Sequence, residues 1–249
     1  MWYTKWPMLP KKPKQSKNDL VCINLPEADI ARDPHTRKEL AHFMKNDRAS
    51  RIASEFDRGL QFVKKYPKSV TIYGSARFKS DNPHYRDAYS LASKLSKCGY
   101  AIVTGGGSGI MEAANRGAKE AGGASVGINI ELPHEQVLNP YVTDSLSFYY
   151  FFARKTTLSF SAEAYIFYPG GFGTLDEFFE IVTLVQTRKI RIVPIILVGE
   201  DFWKPLQTFL EEECLKRHGS VNRRELGLYV ITDKHDEIID IIANAPVRE

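Results

Sequence analysis

Three cysteines in 249 residues, Cys22, Cys98 and Cys214, are too few and too widely spaced for a disulfide framework or a zinc site, and they point to a reducing compartment. Histidine is equally sparse. His35 and His42 stand seven apart, His84, His134, His218 and His235 are scattered, and there is no H-E-x-x-H, so no metal is expected. No apolar run approaches the length of a membrane span, and the opening MWYTKWPMLPKK lacks the apolar core of a signal peptide. A cytoplasmic protein without a membrane partner is expected. Neither sign of charge dominates: a net +4 is too small to argue for nucleic acid.

Cofactor motifs are missing too. No Gly-Lys-Ser/Thr follows a glycine loop, which excludes a Walker A site, and no G-x-S-x-G elbow is present. Gly105-Gly106-Gly107-Ser108-Gly109 fails as a dinucleotide fingerprint, because the sixth place from Gly105 is Ile110 and only Glu131 is available for the ribose. That argues against NAD or FAD. No cofactor is expected.

What the chain does have is alternation of short Val- and Ile-rich runs with amphipathic ones. Strands are predicted at 70–73, 100–103, 124–130, 164–168, 192–198 and 228–231, and helices over 83–98, 113–121, 148–159, 174–187, 202–215 and 234–243, with 132–146 as loop. Apolar strands of this kind are buried on both faces. The expected fold is therefore α/β, a Rossmann-like parallel sheet with helices on both faces. Residues 1–35 read as a basic, partly disordered arm, residues 36–66 as an N-terminal helical extension breaking near Asn46 or Gly59, and residues 67–249 as the Rossmann-like domain.

One stretch concentrates the chemistry. Tyr168-Pro169-Gly170-Gly171-Phe172-Gly173-Thr174-Leu175-Asp176-Glu177 leaves a strand, turns on glycines and opens a helix. Bare backbone and a helix N-terminus suit a phosphate. Glu177 then sits about one turn into the helix, within reach of whatever the phosphate anchors; a first-turn acid favoured by the helix dipole is the plainer alternative. Upstream, Arg154-Lys155 interrupts an apolar, aromatic stretch, either as a cation at the site or as a helix-end pair facing solvent. Because ligands in such folds sit at the carboxyl ends of strands, the loops at 74–77, 104–109 and 169–174 should converge.

With P-G-G-x-G-T-x-x-E at Pro169–Glu177 and Arg154-Lys155 in place, the chain resembles the LOG family, cytokinin riboside 5′-monophosphate phosphoribohydrolases and bacterial nucleotide nucleosidases. Counted from Thr104, Gly109 also falls in register with the family's glycine loop. Leu132 to Tyr141 is similar to its longer bacterial branch. The resemblance spans about residues 70–215. It implies cleavage of a nucleoside 5′-monophosphate, AMP-like or a cytokinin riboside monophosphate, to free base and ribose 5-phosphate. It implies Arg154 and Glu177 as the catalytic pair, and Ser75, Gly105, Gly106, Gly107, Met111, Lys155, Gly170, Gly171, Gly173 and Thr174 around substrate and phosphate. It also implies a homodimer with active sites near the subunit contact, to which the aromatic run 148–152 is suited. The alternative is a non-catalytic nucleotide or molybdenum-cofactor carrier of the same fold. A pyridoxal phosphate decarboxylase finds no support, since Lys155 is the one lysine near the site and no partner for a pyridine ring can be placed.

Overall fold

The computed structural model describes residues 34–131 and 138–245. Nearly all of the expected basic arm and part of the 132–146 loop lie outside them. The chain divides into two compact units, residues 1–46 and 47–249, and the second carries the sheet.

Helix α1 (Pro34–Val63) is one helix, not the broken pair expected at Asn46 or Gly59. Seven parallel strands follow: β1 (Ser69–Tyr73), β2 (Ala101–Thr104), β3 (Ser125–Ile130), β4 (Asp144–Phe148), β5 (Ala164–Phe167), β6 (Ile195–Leu197) and β7 (Val230–Ile231). Their order across the sheet is β4-β3-β2-β1-β5-β6-β7. The connecting helices are α2 (Pro83–Lys97), α3 (Ile110–Glu120), α4 (Phe151–Ser159), α5 (Phe172–Gln186), α6 (Glu200–Phe209) and, at the end, α7 (His235–Ala243).

Side chains alternate across the sheet as the two-residue period demands. Val70, Ile72, Ala164 and Ile166 face one core with Leu91, Ala114 and Ile238 from α2, α3 and α7. Tyr73, Tyr165 and Phe167 face the other, with Phe62, Leu158, Phe178 and Trp203 from α1, α4, α5 and α6. The helices thus cover both faces, as the sequence pattern predicts.

Three further elements differ from expectation. Strand β4 replaces the end of the predicted loop: Asp144-Ser145-Leu146-Ser147-Phe148 pairs with β3 at the sheet edge, where only Phe148 is fully buried, so it shows no continuous apolar run. The predicted helix at 148 starts instead at Phe151, because Phe148 ends that strand and Glu55 of α1 accepts from the Tyr149 and Tyr150 amides at 2.9 and 3.0 Å. The helix predicted over 202–215 changes winding after Phe209 into a π-helix, Leu210–Arg217.

The strand order places a switch point between β1 and β5. The chain leaves β1 toward β2, β3 and β4, then returns to its other side as β5. Crevices at such points, at the carboxyl ends of the strands, hold ligands. Among the described residues, no helix is long and apolar enough to cross a membrane.

Candidate active site

A cavity of about 710 Å³ opens at that switch point. Its wall comes from the ends of β1 (Tyr73, Ser75, Arg77) and β2 (Gly105), from Gly171 after β5, from Met111 of α3, Arg154 of α4 and Gly173, Thr174 and Glu177 of α5. The three loops expected to converge do so, and backbone hydrogen bonds stitch them together. The Ser75 amide donates to Pro169 O at 3.0 Å, and the Ile110 amide donates to Ser75 O at 3.0 Å. Gly109 makes the second contact possible: its φ of +70° suits glycine, and a Cβ there would strike the Ser75 and Ala76 backbone.

Arg154 reaches the cavity because Gly105 has no side chain; a Cβ at 105 would collide with the guanidinium and approach Met111 Sδ to 2.9 Å. Arg154 Nε donates to Ile128 O at 2.8 Å, which fixes the side chain beneath the glycine loop. Burial pulls its pKa down, opposed by the nearby Glu177 and Tyr73, but a guanidinium stays charged in proteins.

Glu177 is 7% exposed, and its Oε2 has no hydrogen-bond partner. Burial is the largest influence on it and, with Glu180, pushes its pKa up to about 7, against the pull of Lys155 and Arg154. A carboxyl poised at that value switches easily between holding and releasing a proton at neutral pH. The phenol of Tyr73 is buried beside it, also without a partner, and burial followed by the Glu177 charge drives its pKa well above the ordinary value. Helix α5 follows Gly171 with no side-chain cap; the Thr174 amide donates to Gly171 O at 3.0 Å, and the Phe172 and Gly173 amides are left for a ligand.

Of the residues singled out by sequence, Ser75, Gly105, Met111, Arg154, Gly171, Gly173, Thr174 and Glu177 line the cavity. Gly106, Gly107, Gly170 and Lys155 do not. The carbonyls of Gly106 and Gly107 accept from Asn139 Nδ2 at 3.1 and 2.9 Å, so these glycines shape the loop from behind. Gly170 lies under Thr174 and the Ser75 amide, where a Cβ would not fit. Lys155 turns away to Asp176 and Glu180. Sequence reasoning missed Tyr73 and Arg77, and the available signal was their place at the carboxyl end of the first strand. It missed Asn139 as well, which no local pattern marks.

A family model described as "possible lysine decarboxylase" matches residues 111–242, which include Arg154-Lys155 and the Pro169–Glu177 run. The chain belongs to this family. It is the LOG family that the motifs resemble. The family member named cytokinin riboside 5′-monophosphate phosphoribohydrolase LOG from Oryza sativa subsp. japonica is 31% identical over 150 residues, 58% of this chain and 60% of its own. A protein of the same enzyme name from Rhodococcoides fascians is 25% identical over 158 residues, 60% of this chain and 77% of its own. Among solved structures, the molybdenum cofactor binding protein of Rippkaea orientalis superposes with a TM-score of 0.53 at 22% identity, over 70% of this chain and 93% of that one. That likeness shows the fold. The decarboxylase wording in the family description has no counterpart in the site: no described lysine lines the cavity, and Lys155 is held by two carboxylates.

Proposed function

We propose that this protein hydrolyses the N-glycosidic bond of a nucleoside 5′-monophosphate, giving the free base and ribose 5-phosphate. The observation that carries the reading is Glu177, a buried carboxylate with an unpartnered oxygen in the same cavity as the uncapped start of α5. The family membership and the enzyme names of its relatives support it. The 5′-phosphate rests on the amides of Gly171 and Gly173 and the Thr174 hydroxyl, with the Ser75 hydroxyl beside them. That anchor carries the ribose toward Glu177. Breaking the bond to the base puts positive charge on the ribose ring. Ionised Glu177 stabilises this charge and takes a proton from the attacking water as the bond to C1′ forms, while the base leaves with the bonding electron pair and is protonated by solvent. Arg154, fixed under the glycine loop, keeps a share of Glu177 ionised and meets ligand oxygens. Met111 lies against the base.

The same reading carries a homodimer. Phe151 and Phe172 line the cavity and are 55% and 94% exposed, with Tyr149, Phe152 and Phe179 also exposed. Aromatic surface of this extent suits burial against a second copy. Light scattering of the purified protein should give twice the chain mass.

The deciding experiment incubates the protein with a panel of nucleoside 5′-monophosphates, AMP included, and separates the products by chromatography. Base together with ribose 5-phosphate is the expected result. Binding of a nucleotide without release of base, at any pH between 6 and 9, would favour the carrier alternative.

A further inference from the structure

The charge balance of the cavity leaves one cation without an assignment. A 5′-phosphate carries about −1.5 to −2 charges at neutral pH. Lys155 is bound to Asp176 and Glu180 and does not line the cavity. Arg154 is tied to Ile128 O and lies beside Glu177, whose charge it partly offsets. The cradle at the start of α5 consists of neutral amides and hydroxyls, and a helix terminus supplies only about half a charge. Arg77 remains. It lines the cavity and is exposed, and among the described residues its guanidinium has no hydrogen bond or ion pair.

Its backbone is nevertheless placed. The Arg77 amide donates to Ser75 Oγ at 3.2 Å, a local turn that fixes the backbone two residues beyond the serine. Ser75 is itself held against Pro169 O by its own amide, so the loop carrying Arg77 stands beside the turn that opens α5. Arg77 and the start of α5 therefore line one cavity from adjoining loops, within which a phosphate on Gly171, Gly173 and Thr174 is bound. A guanidinium presents a planar fork matched to phosphate oxygens.

We propose that Arg77 is the specificity residue of the site: it closes over the 5′-phosphate and selects phosphorylated ligands over the free nucleoside or sugar. The inference rests on the phosphate end of the reading above but not on the cleavage chemistry. Arg77 has no part in the chemistry assigned to Glu177, and its contribution is to binding.

The test is calorimetric titration of wild type, Arg77→Ala and Arg77→Lys with ribose 5-phosphate and with ribose, alongside KM for AMP. Arg77→Ala should weaken ribose 5-phosphate by about 10- to 100-fold, the range for losing a hydrogen bond to a charged group. Arg77→Lys should recover part of that loss, as a point charge without the fork. Ribose binding should not change. Because Arg77 is exposed, melting temperatures should match the wild type and confirm that all three proteins are folded. Unchanged ribose 5-phosphate affinity in Arg77→Ala overturns the proposal, as does a wild type that binds ribose as well as its phosphate. If ribose 5-phosphate is lost in the variant but no nucleotide is cleaved by the wild type, Arg77 keeps its role and the hydrolase reading falls.

Discussion

Lys155 reaches from α4 to α5 and sets its Nζ 2.6 Å from Oδ2 of Asp176, the residue just before Glu177. The same ammonium lies 3.1 Å from Oε2 of Glu180. It thereby offsets part of the charge of the two carboxylates that flank Glu177 on its helix. Both flanking acids raise the Glu177 pKa, and Lys155 lowers it. The Arg154-Lys155 pair thus divides its work: one side chain faces the cavity, while the other tunes the cavity's carboxylate from behind.

This arrangement sets the pH dependence. If ionised Glu177 is the working form, kcat/KM rises as pH increases through about 7. Lys155→Met removes the neutralising charge and should move that limb to higher pH, by roughly 0.5–1 unit. Glu180→Gln removes a repelling charge and should move it lower. Opposite shifts of the two variants, read from pH–rate profiles, are the expected result. Shifts in the same direction would mean that the limb belongs to another group.

Glu177 should weaken the fold that holds it. Its pKa is raised from 4.5 to about 7 by burial, so the folded chain binds the proton more tightly than the unfolded chain. Its contribution is intact below pH 4.5 and is lost as pH rises through 7. The full shift corresponds to about 3 kcal/mol. Glu177→Gln should therefore raise the melting temperature at pH 8 and leave it nearly unchanged at pH 4.5, while lowering kcat by about 10²–10⁴. Thermal scans at the two pH values check the first part, and turnover of AMP checks the second.

The parts of this molecule legible in sequence are those where a local pattern has a single structural meaning. The inner strands β1 and β5 read correctly because both their faces are buried, so β-branched, aromatic and other apolar residues fill most positions on either face. Edge strand β4 was not legible, because three of its five residues are polar and only Phe148 is fully buried. Within the site, Pro169–Glu177 declared itself by glycine spacing at a helix start. Tyr73 and Arg77 carry no such mark, since their roles depend on β1 lying beside β5, a relation set by the order of the sheet. Lys155 is expected at the ligand through the family's Arg-Lys signature, but successive helical residues point in different directions and only Arg154 of the pair lines the cavity.

Gly105 and Gly109 serve different purposes, and alanine at each should separate them. A Cβ at 105 meets the ends of two flexible side chains, Arg154 and Met111. Gly105→Ala should fold with at most about 1–3 kcal/mol lost, yet displace Arg154 and lower kcat/KM at least tenfold. A Cβ at 109 meets backbone at Ser75 and Ala76, from a residue at φ +70°. Gly109→Ala should instead cost stability outright, by more than the roughly 1–2 kcal/mol of a left-handed residue alone. Urea midpoints and AMP kinetics on the two variants distinguish a shifted side chain from a parted loop.

Asn139 offers the sharpest separation of hydrogen bonding from bulk. Its Nδ2 lies 3.1 Å from Gly106 O, 2.9 Å from Gly107 O and 2.9 Å from Asn115 Oδ1, so two hydrogens serve three buried acceptors. The Asn139 amide also donates to Gly106 O at 2.9 Å, and Thr104 Oγ1 donates to Asn115 Oδ1 at 2.6 Å, so those two acceptors keep a partner in any variant. Gly107 O loses its side-chain donor. Asn139→Ala should therefore cost about 1–3 kcal/mol for the abandoned carbonyl, plus the small cavity left behind. Asn139→Asp has nearly the same shape but sets a carboxylate against three oxygens. At pH 7 it should be the less stable of the two, because a charge facing acceptors costs more than an empty space. Acidification protonates that carboxyl and restores one donor, so the aspartate variant alone should recover stability relative to wild type as pH falls from 7 to 5. Equal urea midpoints for the two variants at pH 7 would mean that Asn139 fills space and that the glycine loop holds its shape without it.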